Sequence, residues 1–424
     1  MKYTHVSSRI LGDRDPLFPL FDPALPGNEV PMRVAFVSSV VPRRCGIATF
    51  TSDLAAGVHM ADPAVGIQFA AIDEPFAART YKTDVHWRIA QEDPSAYAAA
   101  ARAIGRSSVD VVNLQHEFGL YGLWHDGQYD DHLRVFLDAC SKPVVTTLHT
   151  VPPRPEPWML EAIRGAADRS AAIVVMSATG ARLLREVYGI SKEPIVIEHG
   201  MPVIQPHGRR RLKRALAMED RSVISTFGLV DPRKGLEYVV EALPAIVARH
   251  PRALYLVIGQ THPELLKRQG EAYRNSLIET ARRVGVTDQL RFVNEYLTQG
   301  EIVEYLLASD VYVTPYLDPG QITSGTLAYA LGAGKAIVST PYLHASEVLA
   351  DDRGTLVPFR DAGAIADAVS GILGDPLRKR ALEERAYAYG RATTWPAIGA
   401  QVLTLMRHIA APREDPIAAP ALIA

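Results

Sequence analysis

The sequence predicts an α/β protein of two facing doubly wound parallel-sheet domains. Three observations lead there. The 424 residues give room for two or three domains. Apolar, β-branched runs alternate with helical stretches along most of the chain. The alternation is interrupted once, near Pro206, by the basic run Arg209, Arg210, Arg211, Lys213 and Arg214, a composition shift that suits an interdomain linker.

The elements follow in order. In the first half, strand Arg33–Val37 precedes helix Ile47–Met60, and Val109–Leu114 precedes a helical stretch around Tyr129–Ala139. Val144–Leu148 then precedes Pro157–Ala167, Ala172–Met176 precedes Ala178–Val187, and Ile195–Glu198 closes the domain. Short continuous apolar runs are what a sheet covered on both faces requires. The second half repeats the beat: strand Ser222–Phe227, helix Leu236–Arg249, strand Leu254–Ile258, helix Pro263–Arg283 and strand Leu290–Val293. Helix Glu301–Ala308, strand Val311–Thr314, helix Ser324–Leu331, strand Ala336–Ser339 and a short strand Gly354–Val357 complete it. The stretch Pro376–Ile409 is helical but broken at Thr393-Thr394-Trp395-Pro396, so its last helix is expected to pass back across the first domain. The expected division is a polar extension at 1–31, domains at 32–205 and 206–394, and a returning helix with a tail at 395–424.

Composition narrows the function. Lys plus Arg is 45 against 47 for Asp plus Glu, so no global positive field gathers nucleic acid. Cys45 and Cys140 are too few for a disulfide framework and lack metal-ligand spacing, which suits a reducing compartment. Met1–Val30 mixes charges with prolines and holds no apolar signal core, and Pro319–Gly334 is too short and too polar to span a bilayer. A cytoplasmic protein is the expectation. The basic run near Arg209 could touch anionic lipid at a membrane surface, although a solvated linker is the simpler reading.

Chemistry is expected at the carboxyl ends of the strands, where ligands of doubly wound sheets bind. The loop Ser38–Ala48 enters a helix at Gly46, where free amides favour an anion and backbone can approach it closely; a capping glycine would look the same. Phe227-Gly228-Leu229-Val230-Asp231-Pro232-Arg233-Lys234-Gly235 places Arg233 and Lys234 at the end of the second domain's first strand, as a phosphate clamp would, or as a plain turn would. Pro315–Thr326 sets Gln321, Thr323, Ser324, Gly325 and Thr326 over the start of the helix carrying Tyr329, where a diphosphate could sit or Ser324 could simply cap. His149 ends one strand, and His116 with Glu117 ends another at the same edge. The pair Asp13 and Asp15 lies in the extension without a scaffold to fix a metal. No P-loop, dinucleotide glycine pattern or nucleophile elbow occurs.

These segments in this order resemble the retaining, metal-independent glycosyltransferases of family 4, the glycogen-synthase-like and mannosyltransferase-like group with the GT-B fold. The resemblance runs from about Met32 to the C-terminal helix. It rests on the loop Pro42–Ala48, on His149, on Gly228–Gly235 ending in Lys-Gly, and on Gly332-Ala333-Gly334-Lys335-Ala336-Ile337-Val338. It implies a nucleotide-sugar donor, UDP- or GDP-linked, held by the second domain, and a saccharide or glycolipid acceptor held by the first. By position, Gly46 would approach the donor phosphates, His149 the sugar, and Lys234 the leaving diphosphate; no metal or other cofactor is implied. Two departures stand out. Leu229 replaces the family's arginine, leaving Arg233 as the substitute, and Gln321 and Tyr329 replace its two glutamates. Both replacements still form hydrogen bonds. The leading expectation is therefore hexosyl transfer. Its rivals on the same fold are a glycoside phosphorylase, which needs no ribose contacts, and a non-catalytic sugar-nucleotide-binding relative.

Overall fold

The computed structural model describes residues 31–76, 78–125 and 128–411, so the Asp13 and Asp15 pair lies outside the described residues. Nine strands belong to the first half: β1 Arg33–Ser38, β2 Gly66–Asp73, β3 Val85–Ala90, β4 Val111–His116, β5 Gly122–His125, β6 Gln128–Asp131, β7 Val144–Leu148, β8 Ala172–Val175 and β9 Ile195–Val196. Seven of them form one parallel sheet in the order β3-β2-β1-β4-β7-β8-β9. The second half supplies β10 Ser222–Phe227, β11 Ala253–Ile258, β12 Leu290–Val293, β13 Val311–Thr314, β14 Ala336–Ser339 and β15 Thr355–Leu356, parallel in the order β12-β11-β10-β13-β14-β15. Both orders reverse beside the first strand of their half, the position at which doubly wound sheets open a ligand crevice.

Alternation within each strand builds the cores. Val34 and Phe36 of β1 join one apolar cluster while Ala35 and Val37 join another, and in β11 Leu254, Leu256 and Ile258 separate in the same way from Ala253, Tyr255 and Val257. Each sheet is thus covered on both faces, as a period of two dictates.

The last helix, Trp395–Ala410, does return to the first domain. Its Trp395, Ile398, Val402 and Met406 are part of the apolar cluster beside β1, and Arg407 pairs with Asp62. It lies against helix Gly46–Ala61 at two facing glycines: a Cβ on Gly399 would collide with the backbone of Gly57, and one on Gly57 with the carbonyl of Trp395. The two crossings between domains run side by side, with Met201 N bonded to Thr393 O at 3.0 Å and Trp395 N to Met201 O at 2.8 Å.

Several expectations need correction. The stretch at Tyr129 is not helical: β5 and β6 form an antiparallel hairpin with Trp124 opposite Tyr129, and the helix is only Leu133–Ala139. Alternating ring and polar residues there favour a strand. The expected helix Pro263–Arg283 is two, Pro263–Gln269 and Ala272–Arg283, divided at Gly270 with φ +58°. The basic run is a helix, Arg209–Ala215, rather than a solvated linker. Lys213 is buried with Nζ 2.5 Å from Asp310, and Arg209 pairs with Glu383 at 2.6 Å. Lys379 reaches both carboxylates, at 3.6 and 3.0 Å, which leaves Arg210, Arg211 and Arg214 as the exposed cations of the run. Lys335 is buried nearby with Nζ 3.2 Å from the Ser309 carbonyl, so it serves the fold. Strands β2 and β3 and helices Pro94–Arg106, Leu343–Val348 and Ala362–Gly374 complete the architecture.

The glycine contact between the crossing helices is testable by sign. On an isolated helix, Gly399→Ala should gain about 1 kcal/mol from propensity. Here the backbone of Gly57 cannot rotate away, and overpacking should destabilise the protein by about 1–3 kcal/mol net. Urea unfolding reads the difference, and a rise in stability would contradict this packing.

Candidate active site

The second domain's part of the site begins where β10 ends. Gly228 has φ +117°, and a Cβ there would lie 2.5 Å from Lys234 Nζ and 3.1 Å from Thr326 Cγ2, so the bare glycine leaves the lysine room to cross the strand end. Asp231 caps the turn Pro232–Lys234, its Oδ1 accepting from Arg233 N at 2.9 Å, and Gly235 closes the turn at φ +61°. The Arg233 guanidinium forks onto the Asp231 carboxylate with two bonds of 2.9 Å. Lys234 has no carboxylate partner among the described residues: Nζ donates to Tyr316 Oη at 3.2 Å and stands 5.0 Å from the ring centroid. Tyr316 Oη lies 2.7 Å from Thr326 Oγ1, which is 3.2 Å from Ser324 Oγ. Ser324 caps helix Gly325–Gly332 by accepting from Leu327 N at 3.3 Å. Lysine, phenol, two hydroxyls and a helix start thus form one connected anion-facing set, in which the first-turn amides have no acceptor within the helix. Thr323 Oγ1 is buried without a protein partner, as a ligand-binding hydroxyl would be. Gln321 folds locally, its Nε2 donating to Thr323 O at 2.8 Å.

The first domain presents the other wall. Helix Gly46–Ala61 starts at Gly46, where an added Cβ would meet nothing within 4 Å, and Cys45 Sγ accepts from Ala48 N at 3.4 Å. His149 follows β7 and is buried, with Nε2 2.8 Å from Gln115 Oε1. Gln115 Nε2 donates to Asn113 Oδ1, so its oxygen is the acceptor and His149 Nε2 carries the proton. Burial, with His199 and His116 nearby, pushes His149 down to about 3, so the ring is neutral and offers hydrogen bonds rather than charge. His116 ends β4, stacked on Tyr121 with Nδ1 lacking a partner, and burial pushes it down to about 4. Beside it, burial pushes the Glu117 carboxyl up to about 7, although Thr150 Oγ1 at 2.9 Å and Phe118 N at 2.9 Å both donate to it.

The two walls meet closely. A Cβ on Gly320 would lie 2.9 Å from Pro153 Cδ, and one on Gly325 would lie 2.9 Å from His199 Nε2. Phe50 stands edge-on to His149, His199 and Trp395, with centroids at 4.6, 5.0 and 5.2 Å. Tyr329 Oη lies 3.4 Å from Asp53 and accepts from Gln299 Nε2 at 2.8 Å. Gln299 also donates to Asp53 at 3.1 Å, and burial pushes that carboxyl up to about 6 against these two donors. At the mouth, Arg44 stands 5.2 Å from the Tyr296 ring.

The structure therefore brings together Gly228, Lys234, Ser324, Gly325 and Thr326 on one wall, and His149, His116 and Glu117 at one sheet edge opposite. Arg233 is held by Asp231. Sequence reasoning missed Asp53, Gln299, Phe50, His199 and Trp395. His199 had a signal, since it follows a strand as His149 does. Among the described residues, no three His, Cys, Asp or Glu side chains stand together as a metal site would need.

Residues 46–202 match the family described as Glycosyltransferase Family 4, and residues 221–375 match Glycosyl transferases group 1. The chain is similar to a phosphatidyl-myo-inositol mannosyltransferase of Mycolicibacterium smegmatis, 26% identical over 321 residues covering 74% of this chain and 75% of that one. It is also similar to D-inositol 3-phosphate glycosyltransferase 2 of Catenulispora acidiphila, 24% identical over 320 residues covering 69% and 72%. Among solved structures it resembles a sucrose-phosphate synthase from Thermosynechococcus elongatus, with a TM-score of 0.71 and 17% identity over 89% of this chain and 99% of that one. The Anabaena protein HepE in complex with UDP and glucose gives 0.68 and 15% over 89% and 100%.

The neutral state of His149 has a measurable consequence. Its folded value of about 3 lies below the ordinary 6.5, so as pH falls from about 6.5 toward 3 the unfolded chain takes up a proton that the folded chain refuses, and stability is lost. His149→Gln should make unfolding free energy fall less steeply between about pH 6 and 4, by about 1.4 kcal/mol per pH unit. Asp53 and Glu117 act in the opposite sense but equally in both proteins. Urea unfolding at several pH values reads the slope, and equal slopes would contradict a buried neutral imidazole.

Proposed function

Because the chain belongs to glycosyltransferase family 4, has the GT-B fold and is a hexosyltransferase, we propose that it moves a hexosyl group from a UDP- or GDP-linked donor to a hydroxyl of a glycan or glycolipid acceptor, with retained anomeric configuration and without a metal. The observation that carries this reading is Lys234, held across Gly228 against Tyr316 beside the start of helix Gly325–Gly332. A diphosphate that leaves without a metal needs a fixed cation and amides near the developing charge, and Lys234 with the start of helix Gly325–Gly332 supports that reading. HepE, which shares the fold, was crystallised with UDP and glucose, and the mycolicibacterial relative is named for transfer of mannose to phosphatidyl-myo-inositol.

The roles follow from position. The donor diphosphate lies against Lys234, Thr326 and the amides of Gly325 and Thr326, with Gly46 leaving room for it on the opposite wall. Thr323 Oγ1 and Gln321 supply hydrogen bonds to the donor, Gln321 by releasing the Thr323 carbonyl. The neutral His149 faces the sugar, and Glu117 the acceptor. In the step itself, the bond from the anomeric carbon to the phosphate oxygen breaks, and its electron pair leaves with the diphosphate. The acceptor oxygen bonds to the same face of that carbon and passes its proton to the departing phosphate oxygen. Tyr329 holds the domains together through Asp53 rather than touching the ribose.

Two substitutions separate the cations. Lys234→Ala should lower kcat for transfer by about a hundredfold or more, as loss of one preorganised charge-stabilising group does elsewhere. Arg233→Ala should cost less than about tenfold, because its guanidinium is already neutralised by Asp231. Release of nucleoside diphosphate from the hexose donor, with EDTA present, is the readout. Undiminished turnover in Lys234→Ala would contradict the donor site, and loss of all turnover in EDTA would contradict the metal-free step.

A further inference from the structure

The segment between β4 and helix Leu133–Ala139 stands outside the doubly wound pattern. Its hairpin β5–β6 carries one end of a continuous wall of rings. Trp124 lies 5.4 Å from both Tyr129 and Trp158, Tyr129 lies 5.3 Å from Trp158, and Trp158 meets Phe118 at 5.2 Å. Phe118 in turn meets His116 at 5.2 Å. Packing accounts for part of this: Phe118 rests on an apolar cluster of the first domain, and Tyr129 Oη accepts from Tyr121 N. It does not account for Trp124, which is 56% exposed at the outer end of the wall. Leaving so large a ring in water forgoes one of the larger gains open to a side chain.

The surroundings say what the wall suits. Glu117 and Phe118 leave the end of β4, Thr150 follows β7, and three residues later Pro153 touches Gly320 of the donor loop. The wall therefore starts at the cleft and runs outward from it. Its polar neighbours are carboxylates and a hydroxyl: Glu117 bonded to Thr150, Glu156 accepting from Trp158 Nε1 at 2.7 Å, and Asp130 near His125 at 3.9 Å. Those carboxylates oppose an anionic lipid surface, which cations would favour. They suit a ligand with an apolar C–H face for aromatic rings and hydroxyls along its edge, and a pyranose is such a ligand.

We propose that Trp124, Trp158 and Phe118, with Glu117 and Thr150, form the acceptor subsite, in which a pyranose ring of the acceptor lies on the aromatic wall with its hydroxyls bonded to the Glu117 carboxyl and Thr150. This rests on the glycosyl-transfer reading above and commits the acceptor to presenting a carbohydrate ring.

The test uses the full chain and does not require the true acceptor. Saturation-transfer NMR with methyl α-mannopyranoside, methyl α-glucopyranoside and methyl α-galactopyranoside should show transfer to the ring protons of at least one. The signal should fall about threefold or more in Trp124→Ala and largely persist in Trp124→Phe, which keeps an aromatic face. Trp124 is exposed, so neither change threatens folding. Absence of transfer from all three, or transfer indifferent to Trp124→Ala, would overturn the subsite. A fluorescence blue shift with phosphatidylglycerol vesicles in the absence of any pyranoside signal would also overturn it, in favour of a lipid surface. A thermal shift with UDP or GDP, run in parallel, reads the donor site alone. Nucleotide binding without pyranoside binding refutes only the subsite, and pyranoside binding without nucleotide binding refutes the donor reading.

Discussion

The placement of the Trp395 indole is the constraint on which the cleft depends. A Cβ on Gly200 would run into the ring, so the first crossing between domains is shaped to the tryptophan of the second. The ring meets Phe50 and His199, Phe50 meets His149, and His199 abuts Gly325 at the start of the donor helix. A chain of close contacts thus links the returning helix to both walls of the site. Around it, four close approaches need a glycine: Gly57 against Gly399, Gly200 against Trp395, Gly320 against Pro153 and Gly325 against His199. Such joints are set by shape, and closely packed shapes have few alternatives.

The charge arrangement divides the labour between the walls. The second domain holds Lys234 and the helix start, the groups that stabilise negative charge. The first holds imidazoles that burial keeps neutral and a carboxyl poised near neutrality. In the proposed reading, a donor between them would have its diphosphate drawn toward one wall while its sugar faced hydrogen-bonding groups that add no competing charge. The fork between Arg233 and Asp231 suits this arrangement, because it leaves Lys234 as the cation of that turn without an acidic partner.

Much of this was legible in the sequence, for local reasons. Val144–Leu148 is a β-branched run and Leu254–Ile258 a continuous apolar one, both suited to a doubly covered strand, and the Asp-Pro-Arg-Lys-Gly turn and the Ser324 cap are written in neighbouring residues. What escaped was written at a distance. β3 is an edge strand with alternating exposure, so its apolar signal is diluted. Lys213 looks like one of a run of surface cations until Asp310, 97 residues away, is folded beside it. Asp53 and Gln299 are 246 residues apart, and nothing near either predicts that they would bracket Tyr329. Tyr329 itself was correctly located on the donor helix, but its hydroxyl faces the other domain because a carboxylate waits there.

Thermal denaturation with UDP, GDP, ADP and inorganic phosphate examines the proposed nucleotide site around Lys234, because a ligand stabilises by RT ln(1 + [L]/Kd) and no acceptor is needed. UDP or GDP should raise the midpoint at concentrations where phosphate does not, and the rise should be lost in Lys234→Ala. Stabilisation by phosphate with no response to any nucleotide would contradict a nucleotide site there.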